Sequence, residues 1–183
     1  MPRLLQNEGL YSNVPADRGG ETYAGITRLY NPEWRGWAII DGQEQTTWDE
    51  LKEAVYDFYE TKYKHLRLDE FDGLFPELAY YLFDTATLFG SRRMVEWTQQ
   101  GLNALIEYRT KTTVPYQKLI VDGHIGPKTT AAIMSLRKSR SEPQALMALL
   151  VMKRIGYHTY KVESEKDQGI FYIGWLARAI RLG

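Results

Sequence analysis

Three residues near the start of the chain have the types and spacing for bond cleavage. Glu8 and Asp17 lie nine positions apart, and Thr22 follows five later. Glu8 ends a short helical pattern, and Asp17 to Thr27 reads Asp-Arg-Gly-Gly-Glu-Thr-Tyr-Ala-Gly-Ile-Thr, a polar turn broken by glycines. Cutting a glycosidic bond takes one protonated carboxyl to donate to the leaving oxygen. It also takes one ionised group to direct water or to stabilise the sugar cation. A helix end followed by a tight turn can hold such a pair across a cleft. A carboxyl desolvated at a helix end has its pKa raised toward neutrality, so Glu8 is the candidate general acid. Asp17 is the candidate base or electrostatic stabiliser, although Asp also serves ordinary turns by bonding nearby amides. Glu21 stands in reserve as the second carboxylate, and Thr22 is the candidate for fixing a water. Gly19, Gly20 and Gly25 let the backbone turn. Tyr11, Tyr23, Tyr30, Trp34 and Trp37 add aromatic faces of the kind that cover a pyranose, and Tyr11 and Tyr23 are the candidate substrate contacts.

Glu8 through Thr27 resembles the N-terminal signature of glycoside hydrolase family 108, muramidases that open Glu-Gly-Gly-Tyr and continue Asp-x-Gly-Gly-x-Thr-x-x-Gly-Ile. The order Glu, Asp, Thr is also similar to that of phage-type lysozymes, with one residue fewer between Asp and Thr. Val121-Asp122-Gly123-His124-Ile125-Gly126-Pro127-Lys128-Thr129 through Ile133 resembles the peptidoglycan-binding region joined to that family. Phe171-Tyr172-Ile173-Gly174-Trp175-Leu176-Ala177-Arg178 resembles its Phe-x-x-Gly-Trp-x-x-Arg ending. Two positions depart from the pattern: Leu10 replaces the second glycine of the opening motif, and Leu88 stands where the family has Asn. The resemblance implies a hydrolase of the bond between N-acetylmuramic acid and N-acetylglucosamine, with Glu8 as acid and Asp17 and Thr22 directing water. It implies no metal or organic cofactor.

Composition sets the outer bounds. At 183 residues the chain can form one good core or two small lobes. Zero cysteines exclude disulfides and thiol catalysis. His65, His124 and His158 lack metal-ligand spacing and read as surface or satisfied structural residues. No apolar run reaches the length of a membrane span. The N-terminus lacks a signal peptide's apolar core. The expectation is therefore synthesis in the cytoplasm and action on the wall after lysis, a holin or dedicated export, as for a phage or prophage endolysin. The net charge of zero conceals an asymmetry: residues 1–91 carry 16 acidic and 8 basic side chains, and residues 92–183 carry 7 and 15. Mutual attraction of the halves or adhesion of the basic half to an anionic polymer both follow from this. Nucleic acid is disfavoured because no dense basic, aromatic-interleaved run appears.

The elements that would position these residues are mostly helical. Residues 2–10 read as a short helix, and 11–46 as irregular structure with a small hairpin. Thr47-Trp48-Asp49-Glu50 forms a capping box ahead of a stripe at Leu51, Val55, Phe58 and Tyr59. Pro76 opens a helix with Leu78, Tyr81, Leu82, Thr85 and Phe89 on one face, where Asp84 reads as a buried hydrogen-bonding carboxylate. A further helix from Ser91 buries Met94, Val95, Thr98, Leu102 and Leu105. Residues 110–121 read as a linker. Two turns between Gly123 and Thr129 then orient a helix carrying Ile133 and Leu136, with Gly126 as the position least tolerant of a side chain. Ser141 caps the next helix, and Phe171, Trp175 and Ile180 are expected to be buried in the last. The sequence thus predicts a mainly α, lysozyme-like fold with a hairpin segment after the first helix. Residues 1–91 form the expected catalytic lobe and 92–183 the helical lobe that grips peptidoglycan glycan strands, packed as one monomeric unit. Two rival readings remain: a non-catalytic wall-binding or secretion-accessory protein, and a lytic transglycosylase or chitinase-like glycan cleaver.

Overall fold

The computed structural model describes residues 11–13, 20–43, 47–110, 117–165, 169 and 172–181. Glu8, Asp17, Gly19 and Phe171 lie outside these residues. The chain divides into two compact units, Met1–His65 and Leu66–Gly183.

The first unit holds a three-stranded antiparallel sheet, β1 (Tyr11–Ser12), β2 (Thr22–Tyr23) and β3 (Ile26–Thr27), in the order β1-β2-β3. Tyr23 pairs with Ile26 across a two-residue turn, and both turn residues, Ala24 and Gly25, have positive φ of 46° and 79°. That is the turn whose twist matches paired strands, and Gly25 adopts it without steric cost. Ala24 does not, and it is held there by the Tyr59 hydroxyl, which donates to the Ala24 carbonyl at 2.7 Å. Two helices follow, α1 (Gly36–Asp41) and α2 (Trp48–His65). One arm of the expected capping box forms, the Thr47 amide donating to Glu50 Oε2 at 2.7 Å, while the Thr47 hydroxyl donates to the same oxygen at 2.8 Å instead of accepting from the Glu50 amide. Helix α2 buries Leu51, Ala54, Val55 and Tyr59.

The second unit is helical: a 3₁₀ turn at Leu68–Glu70, then α3 (Pro76–Phe89), α4 (Ser91–Thr110), α5 (Pro127–Ser135), α6 (Glu142–Ser164) and α7 (Tyr172–Arg181). Pro76 and Pro127 start their helices, where a missing N–H costs nothing. Helix α3 is buried on nearly every side, through Leu78, Ala79, Tyr81, Leu82, Phe83, Asp84, Thr85 and Ala86, which marks it as the central helix. Its carboxylate is fully buried between two guanidinium groups. Arg178 of α7 donates to Asp84 Oδ1 from Nη2 at 2.7 Å, and Arg154 Nη2 of α6 lies 2.9 Å from Oδ2. Arg154 is itself fully buried.

Several local expectations shift. Ile106 rather than Leu105 completes the buried face of α4, one position round the helix. Ile180 is 60% exposed while Ala179 is buried, because α7 presents its small residue to the core. Ser141 precedes α6 but gives no side-chain cap, since its hydroxyl meets that of Ser139 instead. Gly126 has φ −105° and ψ −178°, extended backbone open to any residue, with nothing within 4 Å of an added Cβ. Gly123 is the constrained glycine: its φ is +74°, and a Cβ would lie 2.6 Å from Arg92 Cγ and 3.3 Å from the Arg92 carbonyl. The loop around it is bound to α4 by two side-chain amides. The Asp122 and Gly123 amides donate to Gln99 Oε1 at 3.1 Å each, and Gln99 Nε2 donates to Asp122 Oδ1 at 2.8 Å. Asn103, one turn on, exchanges two bonds with the Leu119 backbone at 2.7 and 2.9 Å.

His158 of α6 is also not the satisfied histidine expected. It is buried against Phe89 and stacks on Trp175, with centroids 4.9 Å apart, and its Nδ1 has no hydrogen-bond partner. Burial, reinforced by the Arg154 and Lys161 charges, pushes its pKa down from 6.5 to about 4.

Two predictions follow from this packing. Gly123→Ala should destabilise the fold by about 1–3 kcal/mol through backbone strain, while Gly126→Ala should stay within about 0.5 kcal/mol of wild type. Urea midpoints compare the two, and the opposite ranking would return the constraint to Gly126. For His158, the unfolded chain binds its proton below 6.5 and the folded chain only below about 4. Its contribution is therefore complete above the unfolded pKa and declines as pH falls between the two values, by at most about 3 kcal/mol. His158→Phe should flatten that part of the stability-versus-pH curve, and an unchanged slope would contradict the assignment.

Candidate active site

The hairpin sorts the predicted site residues by the two-residue period of a strand. Ser12 pairs with Thr22, and Thr22 with Thr27, so three hydroxyl residues form a row across the sheet. All three are half-buried. The opposite face carries Tyr11, Tyr23 and Ile26 in the same cross-strand order. The sequence reading selected Thr22 but missed Ser12 and Thr27. The alternation of side chains along paired strands would have found them once the register was known.

Thr22 donates its hydroxyl proton to the Gly20 carbonyl at 3.0 Å. With its proton so engaged, the oxygen keeps its lone pairs for accepting. A water donating one hydrogen to Thr22 and the other to a carboxylate would present its own lone pair to an electrophile. That is the orientation a hydrolytic water requires.

Glu21 is already engaged. Its Oε1 accepts from the Tyr11 hydroxyl at 3.2 Å, and its Oε2 lies 2.8 Å from Arg28 Nε. The same guanidinium holds Asp41 of α1 at 2.7 and 3.2 Å and covers the Trp37 ring at 4.5 Å. The Arg28 amide donates to the Glu21 carbonyl at 2.8 Å, which extends the ladder past β3. This network joins the start of β1, the entry to β2 and the end of α1. A carboxylate committed in this way is a brace, and it leaves little of Glu21 for proton transfer.

The aromatic residues divide into supports and surfaces. Tyr23 is 3% exposed and stacks on Trp34 at 6.1 Å, while Trp34 meets Trp37 edge-on at 5.0 Å. Each indole N–H is satisfied, Trp34 by the Ala54 carbonyl at 3.1 Å and Trp37 by the Asn31 carbonyl at 2.8 Å. Burial pushes the Tyr23 phenol up, and the charge of Glu50 adds to it. Direct sugar contact, expected of Tyr23, does not fit a ring enclosed on the core side of the sheet. Tyr11, 53% exposed, is open to a ligand.

Residues 1–90 match the family model described as Glycosyl hydrolase 108, and residues 93–180 match one described as Predicted Peptidoglycan domain. The chain is similar in structure to Brucella abortus SagA, at 22% identity over 100% of this chain and 88% of that one, with a TM-score of 0.63. That likeness shows the fold. No curated protein matches. The protein is thus a mainly helical, lysozyme-like glycoside hydrolase that acts on peptidoglycan. Its residues 1–90 belong to glycoside hydrolase family 108 and are followed by a domain of the peptidoglycan type. Among the described residues, no helix is long and apolar enough to cross a membrane.

The hairpin's dependence on α2 is open to test. Tyr59→Phe removes the bond to Ala24 and leaves a buried carbonyl unpaired, at a cost of about 1–3 kcal/mol. Amide exchange at Ala24 and Gly25 should quicken along with a lower urea midpoint. An unchanged midpoint would show that the strained turn holds itself.

Proposed function

We propose that the protein is an N-acetylmuramidase that hydrolyses the glycosidic bond from N-acetylmuramic acid to N-acetylglucosamine. Glu8 protonates the leaving oxygen. Asp17 takes a proton from water, and Thr22 accepts the water's other hydrogen. Tyr11, on the face opposite Thr22 but exposed on the edge strand, contacts the sugar only around that edge, while Tyr23, Trp34 and Trp37 support the hairpin from beneath. Residues 1–91 carry the chemistry and residues 92–183 hold the wall polymer.

The observation that carries this reading is the Thr22 hydroxyl, whose proton is given to the Gly20 carbonyl, so that its oxygen can act toward a water only as an acceptor. The commitment of Glu21 to Arg28 and Tyr11 supports Asp17 as the second carboxylate. A water between acid and base favours inversion, for which the carboxyls stand about 6.5–9.5 Å apart; retention needs about 5–5.5 Å.

Removing the general acid by Glu8→Gln should slow hydrolysis of purified peptidoglycan by roughly 10²–10⁴-fold or more, with folding preserved. Asp17→Asn should lower turnover strongly while glycan binding persists, and Glu21→Gln should act mainly on stability. Mass analysis of the products gives a free reducing end for hydrolysis and an anhydro end for a lytic transglycosylase. Full activity of folded Glu8→Gln would remove the acid assignment. An active Asp17→Asn beside an inactive Glu21→Gln would exchange the second carboxylate.

A further inference from the structure

Helices α3, α4, α6 and α7 enclose a cavity of about 270 Å³ whose wall is cationic and aromatic. Four of its lining residues are basic: Arg93, Arg154, Lys161 and Arg178. Among the described residues, none of the lining side chains is a carboxylate. Asp84 neutralises part of this charge, since it is ion-paired with Arg154 and Arg178. Among the described lining residues and Asp84, one carboxylate stands against four cations.

The cations are held in place by aromatic faces. Arg93 lies over Tyr157 at 4.6 Å, Lys161 over Trp175 at 5.6 Å, and Arg154 over Phe89 at 5.5 Å. Such contacts fix a charge without neutralising it. Three buried polar atoms on its lining residues have no hydrogen-bond partner, His158 Nδ1, Arg154 Nε and Arg154 Nη2, although the last is ion-paired with Asp84 at 2.9 Å. His158 is 6% exposed and Arg154 fully buried. Unpartnered buried polar atoms are uncommon in folded proteins and call for an explanation. A bound acid group would supply the missing partner.

Two sequence features left unused by the catalytic reading meet here. Trp175 and Arg178 belong to the Gly-Trp-x-x-Arg segment, and their three-residue spacing puts them on one face of α7. Leu88, which departs from the family's Asn, also lines the cavity. At that position it offers an apolar edge beside the cations instead of an amide.

We propose that this cavity is a second binding site, which takes a carboxylate of the peptide stem attached to the glycan strand. The chemistry that selects this ligand is a compact anion flanked by a short apolar portion. Arg93 and Lys161 pair with the carboxylate, Trp175 and Leu88 cover the aliphatic part, and the neutral imidazole of His158 hydrogen-bonds it. The size of the cavity suits a fragment of one or two residues rather than a polymer. The assignment rests on peptidoglycan as the substrate, but it is independent of which residues cut the glycan.

The test uses the full chain and a free stem peptide, which contains no glycosidic bond, with binding followed by calorimetry. The wild-type protein should bind the peptide. Amidation of the peptide carboxylates, or the double substitution Arg93→Gln/Lys161→Gln, should weaken binding by about tenfold or more, as expected for loss of charged hydrogen bonds. Trp175→Leu should weaken it independently. Cleavage of a peptide-free glycan by the double variant should stay at the wild-type rate, so loss of catalysis and loss of this site read out separately. Equal binding of the amidated and free peptides would overturn the proposal, as would wild-type affinity in the folded double variant. Competition by inorganic phosphate at lower concentration than the peptide would also overturn it, by making the site one for phosphate. If the peptide binds as expected but no glycan is cut, the muramidase reading fails and this one stands.

Discussion

A single carboxylate organises the helical unit. Asp84 sits on the most enclosed helix, with an arginine from α6 on one oxygen and an arginine from α7 on the other. Neither Asp84 nor Arg154 retains contact with water. Taking such charges out of water costs several kcal/mol per ion, which their attraction offsets only in good geometry. The pairing therefore acts as a constraint more than as a source of stability. Each helix has one rotation and one axial position at which its charge meets Asp84, and any other packing leaves an ion buried alone. The Thr85 hydroxyl, bonded back to the Tyr81 carbonyl at 2.7 Å, and the Tyr81 ring under Arg154 at 4.8 Å complete the seat. Burial raises the Tyr81 phenol to about 12, so it stays neutral beside the guanidinium.

The hairpin unit solves a different problem, with neutral groups in its interior and an ion-pair network at its surface. A three-stranded sheet with two residues in each strand is too small to be stable alone. Its fixed points come from outside: the Tyr59 hydroxyl on the turn, Trp34 under Tyr23, and the Arg28 guanidinium between Glu21 and Asp41. Arg28 reaches two carboxylates and an aromatic face at once, and its planar fork suits this better than an ammonium. The Tyr59 and Trp34 contacts are buried, whereas the Arg28 ion pairs lie at the surface, where each is worth little by itself. Their collective effect is to fix the row Ser12, Thr22 and Thr27, where a fraction of an ångström decides whether a water is held.

Legibility in the sequence followed the range of the interaction. Local signals were readable: the capping box at Thr47 and Glu50, the prolines opening α3 and α5, the stripe of Leu51, Val55 and Tyr59, and the irregular stretch that became a hairpin. Asp84 was readable as buried because apolar residues surround it on its own helix. Its partners were not, since they lie 70 and 94 positions away and nothing in their own segments distinguishes a buried arginine from a surface one. The burial of Tyr23 was not readable because a residue inside a motif can face either side of a strand, and only the register with Tyr11 and Ile26 fixes which. Gly123 and Gly126 are both turn glycines in sequence. The difference between them is the positive φ of Gly123 and its close approach to Arg92 of α4.

The charge asymmetry of the chain has a partly internal origin. Asp84 falls in the acidic half and its partners Arg154 and Arg178 in the basic half, so some of the opposite charge meets inside the protein. The same fact bears on how the two family segments relate. The boundary between them lies near residue 91, yet α3, on the N-terminal side, packs against α4 and α6 on the other. A cut there would strip the most apolar helix of its neighbours and leave the Asp84 carboxylate without either arginine. The segment that belongs to the hydrolase family and the one that resembles a peptidoglycan module are thus distinct in sequence but joined in their core. Arg93 and Lys161, held on Tyr157 and Trp175, lie outside that internal pairing. They are the charges this core leaves available for an acidic ligand.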